Sequence, residues 1–230
     1  MPFECKDITF MYPGAPGYVF QNLSFKFSRP GFNALFGPSG IGKTSLAKII
    51  IGAFRDYSGQ VTTDGMKTLF YTYNMERLPG WSGVGKHLEK VTPPGRIGLK
   101  DELVNIFGIR PCLKSRFTQL SLGQQNRVNL IRYLVQDFNL LIMDESLANV
   151  DERTRETILL KIKEIFPDAY FLYISHNVVE VSKFCRDIVV FRSAHKKPQA
   201  VVVKGQDLST GQELKRNLLE QTMLEIMNAS

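Results

Sequence analysis

Gly37-Pro38-Ser39-Gly40-Ile41-Gly42-Lys43-Thr44 is a run whose residue types and spacing prescribe a chemistry. It satisfies G-x-x-x-x-G-K-[ST], in which glycines let backbone N–H groups turn inward around phosphate oxygens that a side chain would block. A helix starting at Lys43 directs the positive end of its dipole at the same anion. The Lys43 ammonium can reach β- and γ-phosphates, the Thr44 hydroxyl can ligate Mg²⁺, and Ser45 joins the nucleotide-binding set. A glycine-rich turn with an incidental lysine is the bland alternative, and the flanking strand and helix argue against it.

A second feature lies about a hundred residues on. Leu140-Leu141-Ile142-Met143-Asp144-Glu145 is an apolar run closed by two carboxylates. In an open α/β sheet ligands bind beyond the carboxyl ends of strands, so a buried strand here sets the pair beside the phosphate loop. Asp144 suits Mg²⁺, directly or through water. Glu145 suits the orientation and deprotonation of an attacking water. Many buried strands end in an acid, so the glycine loop upstream is what gives this pair its chemical meaning.

These residues need a frame. Phe3 to Met11 and Leu23 to Phe27 read as strands around the turn Pro13 to Gly17, and Phe32 to Phe36 as a buried strand running into the glycine loop. Lys43 to about Ala53 has a helical apolar pattern. Val61 to Thr63, Thr68 to Tyr73, Leu140 to Met143, Tyr170 to Ile174 and Ile188 to Phe191 read as further strands, and Glu152 to Phe166 as a helix. Strands alternating with helices predict an α/β fold with a mostly parallel sheet. Residues 74–136, rich in Pro and Gly before a helical run from Leu122 to Gln136, read as a mainly helical insertion. Gly211 to Asn228 reads as a surface helix carrying Leu214, Leu218 and Leu219.

Bulk properties narrow the class. At 230 residues, 43% hydrophobic and 22% charged, the chain has the usage of one ordinary globular domain. The formal charge of +7 invites nucleic acid or a membrane surface as a partner. The positive residues are scattered, however, and the densest cluster is the pair Lys196 and Lys197, which favours a solvated basic surface. Cys5, Cys112 and Cys185 lack metal or disulfide spacing and read as reduced cytoplasmic thiols. Met-Pro-Phe-Glu lacks the pattern of a signal peptide, and no stretch approaches the roughly 18 to 20 apolar residues that cross a bilayer. Service at a membrane would therefore go through a partner.

Between the loop and the acidic pair lies Leu120-Ser121-Leu122-Gly123-Gln124-Gln125-Asn126-Arg127-Val128. This resembles the signature of the ABC ATPases, usually L-S-G-G-Q ahead of a basic helix. Asp151, six residues past Glu145, resembles the D-loop aspartate; His176, after the strand Tyr170 to Ile174, the switch histidine; and Tyr12, the aromatic residue that stacks on adenine. Asn74 stands in the place of the glutamine that opens the helical insertion and touches Mg²⁺ or water. The order spans nearly the whole chain. The resemblance implies a P-loop NTPase core (1–73 and 137–206) with an N-terminal antiparallel β subdomain, a helical signature subdomain (74–136) and a C-terminal helix (207–230), all in one domain. It also implies an ATPase using ATP and Mg²⁺, with Lys43, Glu145 and His176 catalytic. Two copies would sandwich ATP, one supplying Lys43, Thr44, Asp144, Glu145 and His176, the other Ser121, Gly123 and Gln124. The implied partners are this second copy, an integral membrane permease and, indirectly, a substrate-binding protein. The implied location is the inner face of the cell membrane.

Leu122 replaces the first signature glycine, Asn74 is one methylene shorter than glutamine, and Ser146 stands where proline usually follows the glutamate. Leu78-Pro79-Gly80-Trp81 and the stretch Leu214 to Leu219 resemble importers of nitrate, sulfonate and taurine, with a groove from Asn74 to Trp81 for the permease. Two other readings compete. One is an ATP-binding regulatory half-site with weak turnover. The other is an ABC ATPase acting on nucleic acid, which the lack of a long coiled-coil insertion or a second such domain opposes.

Overall fold

The computed structural model describes residues 3–63, 65–192 and 196–229. Along the chain come β1 (Phe3–Phe10), β2 (Phe20–Phe27), β3 (Gly31–Phe36), α1 (Lys43–Ile50), β4 (Ser58–Thr63) and β5 (Leu69–Tyr73). Three α-helices follow, α2 (Val84–Val91), α3 (Ile97–Ile106) and α4 (Leu122–Leu134). The chain then runs through β6 (Leu140–Asp144), α5 (Glu152–Ile165), β7 (Tyr170–Ile174), α6 (Val178–Phe184), β8 (Asp187–Phe191), β9 (Ala200–Lys204) and α7 (Arg216–Ala229).

Two sheets result. A three-stranded antiparallel sheet has the order β2-β1-β4, and a six-stranded sheet has the order β5-β6-β7-β3-β8-β9, parallel except where β9 runs against β8. The parallel strands are apolar almost throughout because both faces are covered. Alternate residues serve opposite layers. Leu141 and Met143 of β6, with Phe171 and Tyr173 of β7, meet the helices of one side. Leu140, Ile142, Leu172 and Ile174 meet α1 and the small sheet on the other. The mostly parallel α/β core and the antiparallel N-terminal sheet agree with the expected fold class. Among the described residues no helix is long and apolar enough to cross a membrane.

Four elements stand out as different from the sequence reading. Helix α1 stops at Ile50 instead of Ala53, because Gly52, at φ 73°, turns the chain away. Helix α6 is not expected from the sequence. Its Val178-Val179-Glu180-Val181 is strand-like by propensity, yet Asn177 Oδ1 accepts from the N–H groups of Val179 and Glu180 and starts a helix. Strand β9, with the β-branched run Val201-Val202-Val203, is absent from the sequence reading, and α7 begins at Arg216, after Leu214.

Candidate functional site

The glycine loop joins β3 to α1. Gly37 (φ 154°) lies so close to Phe191 that a Cβ would sit 3.0 Å from that residue's Cβ. Gly42 (φ 107°) would push a Cβ to 2.5 Å from Val19 Cγ1. Both positions therefore exclude side chains through the protein's own packing. Lys43 donates to the carbonyls of Gly37 (2.6 Å) and Pro38 (2.9 Å), curling the loop around its ammonium. Burial pushes the Lys43 pKa down, and the nearby Asp144 and Glu145 draw it partly back. The Lys43 side chain shares the wall of one cavity with the carboxylates of Asp144 and Glu145.

Beyond this loop opens a polar cavity of ≈ 630 Å³, walled by Ser39, Gly40 and Gly42 to Ser45 on one side and by Asp144 and Glu145 on another. Tyr12, Val19, Tyr71, Tyr73 and Asn74 complete its rim. Thr44 Oγ1 donates to Asp144 Oδ2 at 2.7 Å, bringing together residues a hundred positions apart. A hydroxyl and a carboxylate facing one polar cavity, with an amide at its rim, are the hard oxygen donors Mg²⁺ takes, usually few from protein and the rest from water and phosphate. The residues fit the ion.

Glu145 follows β6 with φ 50° and donates its N–H to Ile174 O at 3.0 Å. That bond ties it to the end of β7, from which His176 projects, and His176 Nδ1 lies 3.1 Å from Glu145 Oε1. Both side chains reach solvent, Glu145 in the cavity wall and His176 outside the residues that line it. The arrangement offers a carboxylate able to accept a proton from water, steadied by an imidazole.

Other predicted residues take more particular places. Tyr12 shares a hydrogen bond with Ser45 Oγ (2.7 Å) and meets Phe10 and Phe54 edge-on, so its ring is held against α1 at the cavity rim. Asn74 reaches the cavity, but its Oδ1 accepts from Asn126 Nδ2 at 2.9 Å. Pro38 lends its carbonyl to Lys43, and Ile41 packs into the apolar layer beneath the loop.

Ser121, Gly123 and Gln124 are not among the residues lining this cavity. They form the start of α4, where Ser121 Oγ accepts from Gln124 N–H and Gln124 Oε1 accepts from Ser121 N–H. This reciprocal cap occupies the Gln124 side chain. A Cβ on Gly123 would stand 2.2 Å from Asn149 O, so that glycine is needed for contact with the loop after Glu145. Leu122 points outward and is 47% exposed. Asp151 caps α5 through Thr154 N–H, which holds its carboxyl below the usual range. Ser146, buried, donates to Thr72 O, a bond proline could not make.

Sequence reasoning missed Tyr71, whose hydroxyl donates to Asp144 Oδ2 at 2.9 Å, and Asn126, which also donates to Ala148 O at 2.7 Å. It also missed Glu76, which accepts from Asn129 and Tyr133 of α4. The available signal for the α4 residues was a polar stripe at helical spacing, Asn126, Asn129 and Tyr133.

A strand, a glycine cradle and a helix facing an acidic strand end define a P-loop nucleotide-binding protein. The sequence profile of the ABC transporter family matches residues 20–148, and the chain belongs to that family. It is 32% identical to the molybdenum import ATP-binding protein ModC of Brucella abortus, over 70% of this chain and 50% of that one. The chain thus spans about half the length of these ModC relatives. It is 26% identical to the aliphatic sulfonates import ATP-binding protein SsuB of Bacillus cereus over 88% of both chains. Among solved structures, a bacterial Atm1-family ABC exporter with ATP bound shares the fold with a TM-score of 0.75, at 18% identity, covering 99% of this chain and 41% of the other. A putative metal-chelate type ABC transporter in an inward-facing conformation gives 0.68 at 16% identity, over 81% of this chain and 78% of that one.

Proposed function

We propose that this chain is the ATP-binding and ATP-hydrolysing subunit of an ABC importer, working as a dimer beneath a membrane permease on the inner face of the cell membrane. One observation carries the reading. The Thr44–Asp144 hydrogen bond closes the phosphate cradle onto the acidic strand end, and Glu145, held by its contact with His176, lines the same cavity. Mg²⁺, when bound there by Thr44 and Asp144, supplies positive charge that neutralises the triphosphate. The loop N–H groups and Lys43 bind the phosphates, the Tyr12 ring offers a face to adenine, and Glu145 takes the proton of the attacking water while His176 holds Glu145 in place. Asn74 adds an amide to the Mg²⁺ or water side once released from Asn126. A second copy's Ser121 and Gly123 complete the site from the N-terminus of α4, the end of a helix that favours anions, with Gln124 preserving that end as its cap.

Residues 74–136 act in this proposal as the signature subdomain between nucleotide and permease. Met75 (67% exposed) and Trp81 (88% exposed) stand on its surface. Met75 edges a groove of ≈ 220 Å³ lined in part by Leu78, Gly80 and Phe117, which suits an apolar segment of the permease, and Trp81 stands outside that lining. The substrate-binding protein enters only through that permease, and the importer names of the relatives support the direction. The paired Glu145 and His176 favour turnover over a regulatory half-site.

Steady-state phosphate release tests the reading. The Glu145→Gln variant should keep nucleotide binding while turnover falls about 100-fold or more. Lys43→Ala should weaken binding itself by roughly 10- to 100-fold, the worth of charge-assisted hydrogen bonds. Full turnover in Glu145→Gln sinks the hydrolytic assignment; no nucleotide binding by the unaltered chain sinks the whole proposal.

A further inference from the structure

Tyr71 lies in neither the cradle motif nor the acidic run, yet its hydroxyl bonds to the Asp144 oxygen that also accepts from Thr44 of the cradle. On β5 it is two residues before Tyr73, so both side chains leave the same face of the sheet. Their rings stack with centroids 5.5 Å apart and planes 24° from parallel. Parallel pairing sets Tyr71 opposite Ile142 and Tyr73 opposite Asp144. A long side chain can span that one-step diagonal, and the Tyr71 hydroxyl donates to Asp144 Oδ2 at 2.9 Å. The same oxygen accepts the Thr44 hydroxyl at 2.7 Å. A carboxylate oxygen has about two lone-pair sites, so the two hydroxyls fix the rotation of this carboxylate. Thr44 belongs to the cradle and moves with it; Tyr71 is anchored on the sheet, by pairing and by its stacked neighbour.

We propose that Tyr71 is a positioning residue for Asp144, holding its carboxylate in the orientation from which it takes Mg²⁺ together with Thr44. This deepens the reading of the cavity as a Mg²⁺–nucleotide site and rests on it. Groups that orient a metal ligand without touching the metal are worth 10- to 100-fold in metal affinity. The phenol acts through Asp144 and makes no contact with phosphate.

The test is binding of a fluorescent ATP analogue to the full chain, titrated with Mg²⁺, in the unaltered protein and in Tyr71→Phe. Phenylalanine keeps the ring, its stacking and its volume and removes only the donor. Nucleotide affinity without Mg²⁺ should be unchanged, and the half-saturating Mg²⁺ concentration should rise about tenfold. An unchanged Mg²⁺ midpoint in Tyr71→Phe overturns this inference alone. Weaker Mg²⁺-free binding also overturns it, because the hydroxyl would then be touching the nucleotide. Absence of Mg²⁺-dependent binding in the unaltered chain overturns the proposed function and this inference with it.

Discussion

Leu122 and Gly123 are neighbours with opposite surroundings, and their substitutions should act in opposite directions. Leu122 stands in solvent at the first turn of α4, on the face proposed to meet a second copy. Removing its bulk in Leu122→Gly should tighten ATP-dependent dimerisation. Relief of about 1.4 kcal/mol of steric conflict corresponds to tenfold in the equilibrium constant. Size-exclusion chromatography with ATP and the Glu145→Gln background reads this directly. Unchanged dimerisation would show that the leucine is accommodated. At Gly123 there is no room at all, since a Cβ would lie 2.2 Å from Asn149 O. The glycine loop and the acidic pair were legible at this scale because each motif is contiguous in sequence. Tyr71 was not, because its meaning depends on which strand lies beside β5, and periodicity alone cannot tell a reader that Tyr73 faces Asp144.

The elements meet at Asn126. From α4 this buried side chain donates to Asn74 after β5 and to Ala148 after β6, joining the helix to the segments that follow two strands. The contact of Gly123 with Asn149 O lies on the same side of α4 and reinforces the junction. Asn126→Ala should leave two acceptors without their donor, at about 1–3 kcal/mol for a buried group, measurable as a lower urea midpoint with unchanged slope. Asn126 does not line the cavity, so Mg²⁺-free nucleotide affinity should stay within about twofold of the parent. A large loss of affinity would instead place Asn126 in the binding machinery. The helical character of this region was readable from Leu122 to Gln136, and α4 ends at Leu134. The α6 helix was harder, because valines there favour a strand and only the Asn177 cap, with Glu180 bonded to Tyr173 and Ser175, decides the matter.

Across the whole molecule, chain segments far apart are joined near Asp207. Its carboxylate accepts from Lys163 of α5 at 2.6 Å and from Arg186, before β8, at 2.8 Å. Lys163 is itself buried and also donates to Phe184 O and Leu208 O, while Arg186 reaches Pro30 O at the start of β3. One acidic residue thus ties α5, α6, the entry to β3 and the segment leading to α7. No sequence motif announces it, since each partner is an ordinary charged residue until folding brings it there. In Asp207→Ala the Lys163 ammonium would remain buried with carbonyls but no counter-charge, at a cost of about 3 kcal/mol. That loss is lodged far from the nucleotide cavity, whereas ligand binding stabilises the fold only by mass action, about 2.7 kcal/mol at a hundredfold excess over Kd. Urea unfolding with and without Mg²⁺–ATP should therefore show Asp207→Ala less stable by a similar amount in both conditions, with the ligand-induced increment intact. A vanished increment would mean that this junction and the phosphate cradle are energetically coupled through β3, the strand that leaves Pro30 and ends at the glycine loop.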